Sequence, residues 1–83
     1  MGYAQGLLWF DGKGKLEVRL ERAIAHYEGK FQHRPDMALV NPNDYAQGGE
    51  PERVSGIEVI PSANMSKSHC LIGVASAAQA KLL

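Results

Sequence analysis

The sequence predicts a two-layer α+β fold, in which one long amphipathic helix packs on a small mixed sheet of three or four strands. One segment has apolar residues at helical spacing, namely Leu16, Leu20, Ile24, Tyr27 and Phe31, which form a stripe on one helical face. Four short apolar runs, each bounded by turn residues, are typical of strands. The expected order is strand, helix, strand, long loop and then two more strands.

A strong turn signal separates the first strand from the helix. The strand covers residues 6–10, and residues 11–14 read Asp-Gly-Lys-Gly, where glycine supplies the backbone freedom of a tight turn. The helix follows, with charged residues on the faces that the apolar stripe leaves open. It is expected to end near Gln32 or His33, because Pro35 cannot continue a helix and restricts the residue before it.

The other strands are short apolar runs. The second covers residues 37–41 and stops at Pro42, the third begins at Gly56 and ends at Pro61, and the fourth covers residues 70–74. If the first two strands share a sheet, the helical crossover between them makes them parallel. The last two strands pair most simply as an antiparallel hairpin.

Two polar connections and an alanine-rich tail complete the chain. The stretch 42–53 is predicted as a polar loop, with no helix between Asp44 and Gly56, and loops of about a dozen residues are usually functional or disordered. Residues 62–68 form a second polar connection. The tail, residues 75–83, is either a short docked helix or a frayed end.

The composition is that of one ordinary globular domain spanning residues 1–83. A content of 45% hydrophobic and 22% charged residues excludes disorder, and no apolar run is long enough to cross a membrane. The nine basic and nine acidic residues cancel, which argues against electrostatic binding of nucleic acid and mildly favours self-association. One cysteine and no signal-peptide pattern make the cytoplasm the expected compartment.

Part of the chain resembles a known family. The run Met37-Ala38-Leu39-Val40-Asn41-Pro42-Asn43-Asp44 is followed by a variable insert, by Gly56-Ile57-Glu58-Val59-Ile60-Pro61-Ser62, by a loop with Met65 and by Leu71-Ile72-Gly73-Val74. With the helix before it, this arrangement over residues 15–75 is similar to the peripheral domain of tailed-phage major capsid proteins and encapsulins. The axial domain, extended loop and N-terminal arm of a capsid subunit have no counterpart here. The resemblance therefore does not imply closed-shell assembly, and it assigns no catalytic residue.

Two motifs resemble phosphate-binding or nuclease sequences but lack required residues. Residues 12–15, Gly-Lys-Gly-Lys, precede a helix as a phosphate loop does, but Leu16 stands where that motif has a hydroxyl residue and the glycine spacing is wrong. Pro35 and Asp36 precede strands, as in metal-dependent nucleases that place a second carboxylate two residues before a lysine. Glu58 has no lysine at that position. A solvated turn is the simpler interpretation of residues 12–15.

The histidines and the cysteine do not have the spacing of a metal site. His26 and His33 are seven residues apart, two helical turns, and His69 and Cys70 are neighbours that point to opposite faces of a strand. Cys70 needs a nearby base to act as a nucleophile, and a buried thiol is the simpler interpretation. The sequence therefore predicts no catalytic residue, no metal and no cofactor.

Two sets of residues are candidates for binding. The first is the polar set of the two connections, Asn41, Asn43, Asp44, Asn64, Lys67 and His69. Strand ends and loops concentrate binding residues, although turn formation selects the same residue types. The second set is Trp9 and Phe10, which are either interface anchors or core aromatics.

Three classes of function remain. The favoured class is a non-enzymatic interaction module that acts as a homo-oligomer or as an accessory subunit, because the chain is small, uncharged overall and expected to have an open strand edge. The second is a domain that binds a small ligand or, less favoured, nucleic acid, through cations spread along the helix: Arg19, Arg22, Lys30 and Arg34. The third is an enzyme with Asp44 and His69 in acid–base roles and a pocket completed by a dimer interface.

Overall fold

In the computed structural model, which describes residues 6–74, five strands form one mixed sheet and one long helix covers one of its faces. The elements in chain order are β1 (Leu7–Phe10), α1 (Leu16–Phe31), β2 (Met37–Val40), α2 (Pro42–Gln47), β3 (Arg53–Val54), β4 (Ile57–Pro61) and β5 (His69–Gly73). The α+β class with one long helix is confirmed, but the sheet has five strands instead of three or four, because residues 53 and 54 form the additional short strand β3. The prediction made for residues 75–83 lies outside the described residues.

Helix α1 forms where the apolar periodicity predicts it. Its buried residues are Leu16, Leu20, Ala23, Ile24 and Tyr27, which lie on one face because they recur every three or four positions. The helix ends at Gln32, which adopts the left-handed conformation (φ 60°) and donates its N–H to the Glu28 carbonyl. This backbone turn, three residues before Pro35, closes the helix at the predicted place.

The strand order in the sheet is β1-β5-β2-β4-β3. The predicted hairpin between the last two long strands is wrong, because β4 pairs parallel with β2 while β5 lies between β1 and β2 and is antiparallel to both. The central position suits β5, since Cys70 and Ile72 are buried on one face and Leu71 is half-buried on the other. Strands β1 and β2 run in the same direction, as the crossover predicts, but they are not neighbours.

The loop predicted for residues 42–53, with no helix between Asp44 and Gly56, is wrong as well, because residues 42–47 form α2 and β3 begins at Arg53. Asn41 caps α2 by accepting hydrogen bonds from the N–H groups of Asn43 (2.9 Å) and Asp44 (3.1 Å), and Pro42 occupies the first helical turn. Strand β3 then pairs antiparallel with β4 across Ser55 and Gly56. Both of these residues have positive φ, 52° and 82°, as a two-residue hairpin turn requires.

The hydrophobic core lies between α1 and one face of the sheet. The helix contributes its stripe, and the sheet contributes Ala38, Val40, Val54, Ile57, Val59, Cys70 and Ile72. Leu7, Trp9, Phe31 and Tyr45 pack around the margin. Neither helix of the described chain is long and apolar enough to cross a membrane.

Candidate functional site

The two polar connections predicted to carry a site contact each other at one end of the sheet. The Asn41 side chain donates from Nδ2 to the Met65 carbonyl at 2.9 Å. The Asp44 carboxylate accepts the Ser68 N–H through Oδ2 at 2.6 Å. Because β2 ends and β5 begins at the same end of the sheet, the segments that flank them meet there.

This polar set divides into buried and exposed members. Asn41 is half-buried as the α2 cap, and Asp44 is 4% exposed; both are committed to hydrogen bonds within the chain. Asn43, Asn64 and Lys67 are exposed. Asn41 and Asp44 therefore hold the two connections together. His69 is half-buried and lines a small cavity with Asp44.

Two arginines of α1 join the helix to the same end of the sheet. Arg19, whose side chain is 14% exposed, lies 4.0 Å from Asp44 Oδ2 through Nη1 and reaches the Asp11 carbonyl at 3.4 Å. Arg22 donates from Nε to Asp11 Oδ2 at 2.6 Å. That hydrogen bond, with one from the Lys13 N–H, lowers the pKa of Asp11 to about 2. The sequence places these arginines on a solvated helix side, and the structure instead pairs them with carboxylates.

A cleft of about 500 Å³ lies between the start of α1 and the end of α2. Its walls include Lys15, Glu17, Arg19 and Gly48, so both signs of charge line it. Arg19 also forms an ion pair with Asp44. The cleft brings together no nucleophile and base, and residues 6–74 hold no group of three or more side chains suited to a metal ion.

Cys70 does not have the properties of a nucleophile. Its thiol is buried, and burial raises its pKa to about 12, so the reactive thiolate is scarce at neutral pH. The rings of His26 and His69 contact aromatic side chains instead of the thiol: His26 lies against Trp9 with ring centroids 4.2 Å apart, and His69 against Phe10 at 5.0 Å.

The second face of the sheet is largely apolar, and neither helix of residues 6–74 packs against it. Residues that pair across neighbouring strands share a face, and the pairs Leu8–Leu71, Leu71–Leu39 and Leu39–Ile60 run across four strands away from the core. We call this surface the open face; its apolar residues are Leu8, Phe10, Met37, Leu39, Ile60 and Leu71. Leu8 and Phe10 are 62% and 65% exposed, the middle three aliphatic residues are half-buried, and Met37 is buried.

Strand β1 forms one edge of the sheet, because β5 is its only strand partner among residues 6–74. Trp9 and Phe10, predicted as interface anchors or core aromatics, lie on opposite faces of β1. Trp9 is half-buried and packs at the margin of the core, whereas Phe10 is exposed on the open face. Sequence reasoning missed Leu8, although its alternation with Leu7 and Trp9 places it on the same face as Phe10.

Comparison of the chain with known protein families, with curated proteins and with solved structures finds no match. The capsid-like resemblance therefore stays a prediction, and the argument about function rests on the geometry of the chain itself.

Proposed function

We propose that the protein is a non-enzymatic interaction module that self-associates by pairing β1 of one copy with β1 of a second copy. The observation that carries this proposal is the edge of β1, which among residues 6–74 pairs with no strand other than β5. Edge strands are normally shielded by charges, prolines or bulges, because their outward N–H and C=O groups are a template for another strand. Residues 6–10, Gly-Leu-Leu-Trp-Phe, contain no charge and no proline.

The opposite edge of the same sheet provides a comparison within the molecule. Strand β3 is two residues long, carries the exposed Arg53 and follows Pro51 and Glu52. Short length, charge and a neighbouring proline are the features that block edge pairing. One edge is thus protected and the other is not, which makes β1 the specific place for a partner strand.

A second copy is a suitable partner for this edge. Antiparallel pairing of β1 with itself uses a twofold axis, so each copy offers the same surface to the other. The chain has no net charge, and long-range repulsion does not oppose association. In the paired state Leu8 and Phe10 of each copy lie beside those of its partner, and their exposed apolar surface is reduced.

Binding of nucleic acid has less support in this geometry. Arg22 is paired with Asp11 at 2.6 Å, and Arg34 is paired with Glu28 at 2.8 Å. Because these two arginines already have carboxylate partners, they are less available to replace counterions on a phosphate backbone.

The test is the mass in solution of the chain and of two lysine variants, measured by light scattering at two protein concentrations. We expect the wild type to exceed the 9.0 kDa of one chain and Leu8→Lys to be monomeric, since a charge on an edge strand opposes pairing. Val18→Lys is the matched control, because Val18 is 40% exposed on α1, away from β1. A wild type that stays monomeric at both concentrations would refute the proposal.

Amide hydrogen exchange locates the contact. Pairing protects the outward N–H groups of β1, so their exchange slows as protein concentration rises, while exchange in β3 does not change. An oligomer whose β1 amides show no dependence on concentration contradicts the assignment of the interface to this edge.

A further inference from the structure

We infer that the small cavity where β1, α1, α2 and β5 meet is a binding site for one ordered water molecule, which bridges Trp9, Arg19 and Asp44. This inference goes beyond the proposed pairing of β1 and does not depend on it. It rests on the unpartnered donors of the residues around the cavity, on the acceptors beside them, and on the volume and charge of the cavity.

Two residues that line this cavity have a buried donor atom without a hydrogen-bond partner. Among residues 6–74, three buried polar side-chain atoms have no such partner, and two of them are Trp9 Nε1 and Arg19 Nε. Each of these nitrogens carries one hydrogen and can only donate. Buried donors in native proteins are bonded to the chain or to ordered water, because an unpaired one is costly. Two such donors at one cavity therefore indicate an acceptor from outside the chain.

The indole N–H of Trp9 faces the Asp11 carboxylate at more than a direct hydrogen-bond distance. Arg22 is the main cause of the low pKa of Asp11, and the Trp9 N–H makes a small contribution to it. The indole nitrogen nevertheless has no partner that meets the geometry of a hydrogen bond. A polar pair that is near but not in direct contact is the arrangement that a bridging water spans.

Asp44 supplies an acceptor on the other side of the cavity. Its Oδ2 accepts the Ser68 N–H at 2.6 Å and lies 4.0 Å from Arg19 Nη1, which is longer than a direct hydrogen bond. A carboxylate oxygen can accept more than one hydrogen bond. A water that accepts from Trp9 and Arg19 and donates to Asp44 makes about three hydrogen bonds, the usual number for a buried water.

The volume and the charges of the cavity select water over other ligands. The volume is about 10 Å³, close to the minimum of roughly 10–15 Å³ that one water needs, so an organic molecule does not fit. The carboxylates of Asp11 and Asp44 oppose an anion, and the Arg19 guanidinium opposes a cation. Water fits because it both donates and accepts.

Nuclear magnetic resonance tests the site directly. The chain has one tryptophan, so its indole N–H gives a single signal in isotopically labelled protein. We expect cross-peaks between Trp9 Hε1 and water whose signs are opposite in the laboratory-frame and rotating-frame Overhauser spectra. Opposite signs identify a water that stays bound for longer than the protein takes to tumble. Mobile surface water, or exchange of the indole proton itself, gives the same sign in both spectra.

Three variants identify the groups that hold the water. Arg19→Lys keeps a positive charge near Asp44 but places a methylene where arginine has Nε, and we expect it to lose the opposite-sign cross-peak. Arg53→Lys is the matched control, because Arg53 is exposed on β3 at the other edge of the sheet, and it is expected to keep the cross-peak. Ser68→Ala removes a nearby hydroxyl that can relay magnetisation from solvent, and it too is expected to keep the cross-peak.

The site is overturned if the wild type shows no cross-peak to water, or cross-peaks of the same sign in both spectra. Loss of the cross-peak in Ser68→Ala assigns it to the hydroxyl and also overturns the site. An unchanged cross-peak in Arg19→Lys contradicts the bridge to Arg19. If Arg19→Lys does not fold, a crystal structure of the wild type decides. Water density within hydrogen-bond distance of both Trp9 Nε1 and Arg19 Nε supports the site, and its lack overturns the inference.

Discussion

Replacement of Asp44 by alanine tests whether the polar residues at the sheet end are structural. The Asp44 carboxylate is 4% exposed, accepts the Ser68 N–H at 2.6 Å and lies 4.0 Å from the Arg19 guanidinium. Asp44→Ala leaves a half-buried N–H and a largely buried cation without this acceptor. An unsatisfied buried donor costs about 1–3 kcal/mol. Loss of a carboxylate from the first turn of α2 adds about 0.3–1 kcal/mol.

We therefore expect Asp44→Ala to lower the free energy of unfolding by about 3 kcal/mol, which corresponds to a fall of about 12–24 °C in Tm for a domain of this length. Asp44→Asn keeps an oxygen acceptor for Ser68 but loses the charge facing Arg19, and we expect a loss of about 1–2 kcal/mol. The matched control is Asn43→Ala, since Asn43 is exposed in the same turn of α2 and surface changes stay within about 0.5 kcal/mol.

Urea denaturation followed by circular dichroism provides the measurement. All variants are compared at one protein concentration, because self-association stabilises the native state by mass action. If Asp44→Ala loses less than about 1 kcal/mol, the carboxylate is not holding the two connections together. The alternative interpretation, in which Asp44 is kept for a ligand, then becomes the better one.

Three further predictions concern ionisation and packing. The Asp11 carboxylate has a pKa of about 2 because Arg22 donates a hydrogen bond to it. Its contribution to stability is therefore present above about pH 4 and is lost as the pH falls through 2. We expect this loss in an acid titration of wild-type stability and not in that of Arg22→Gln. The Cys70 thiol has a pKa of about 12, so the stability of the wild type falls between about pH 9 and 12. In thermal unfolding at alkaline pH, Cys70→Ala is expected to lack the part of this fall that comes from the thiol. In Gly48→Ala the new Cβ lies 2.7 Å from an α1 side chain and costs about 1–3 kcal/mol in urea, whereas Gly29→Ala, with open space around it, gains about 0.5–1 kcal/mol.

Local sequence signals predicted α1 well, because its stripe and its stop are both encoded within the helix and the residues that follow it. The same type of local signal was available for α2 and was read differently. Asn41 followed by Pro42 is a helix start, with a capping side chain and a residue that suits the first helical position. A turn was predicted instead, because asparagine and proline are also common in turns.

The pairing of the strands could not be predicted in the same way. A hairpin between β4 and β5 is the pairing with the shortest loop, and local reasoning favours it. The chain instead places β5 between β1 and β2, where both of its edges are paired and Ile72 is fully buried. This gain depends on contacts between distant segments, which the periodicity of any one strand does not contain.

The side-chain contacts at the sheet end also could not be predicted from local sequence. Asp44 and Arg19 are far apart in the sequence, and each has an ordinary role when read alone, one as a turn former and the other as a surface cation. Their pairing follows from the position of α1 over the strand ends. Residue type therefore identified Asp44 as notable, but only the fold shows that its partners are Ser68 and Arg19.

One property of the interaction surface was present in the sequence. Residues 37–40, Met-Ala-Leu-Val, are apolar without interruption, and such a strand is apolar on both faces. The structure shows which strands share that open face and that β1 bounds it. The open face and the edge of β1 meet at Leu8 and Phe10, which are 62% and 65% exposed, so these two residues are the apolar surface that the proposed pairing of β1 would cover.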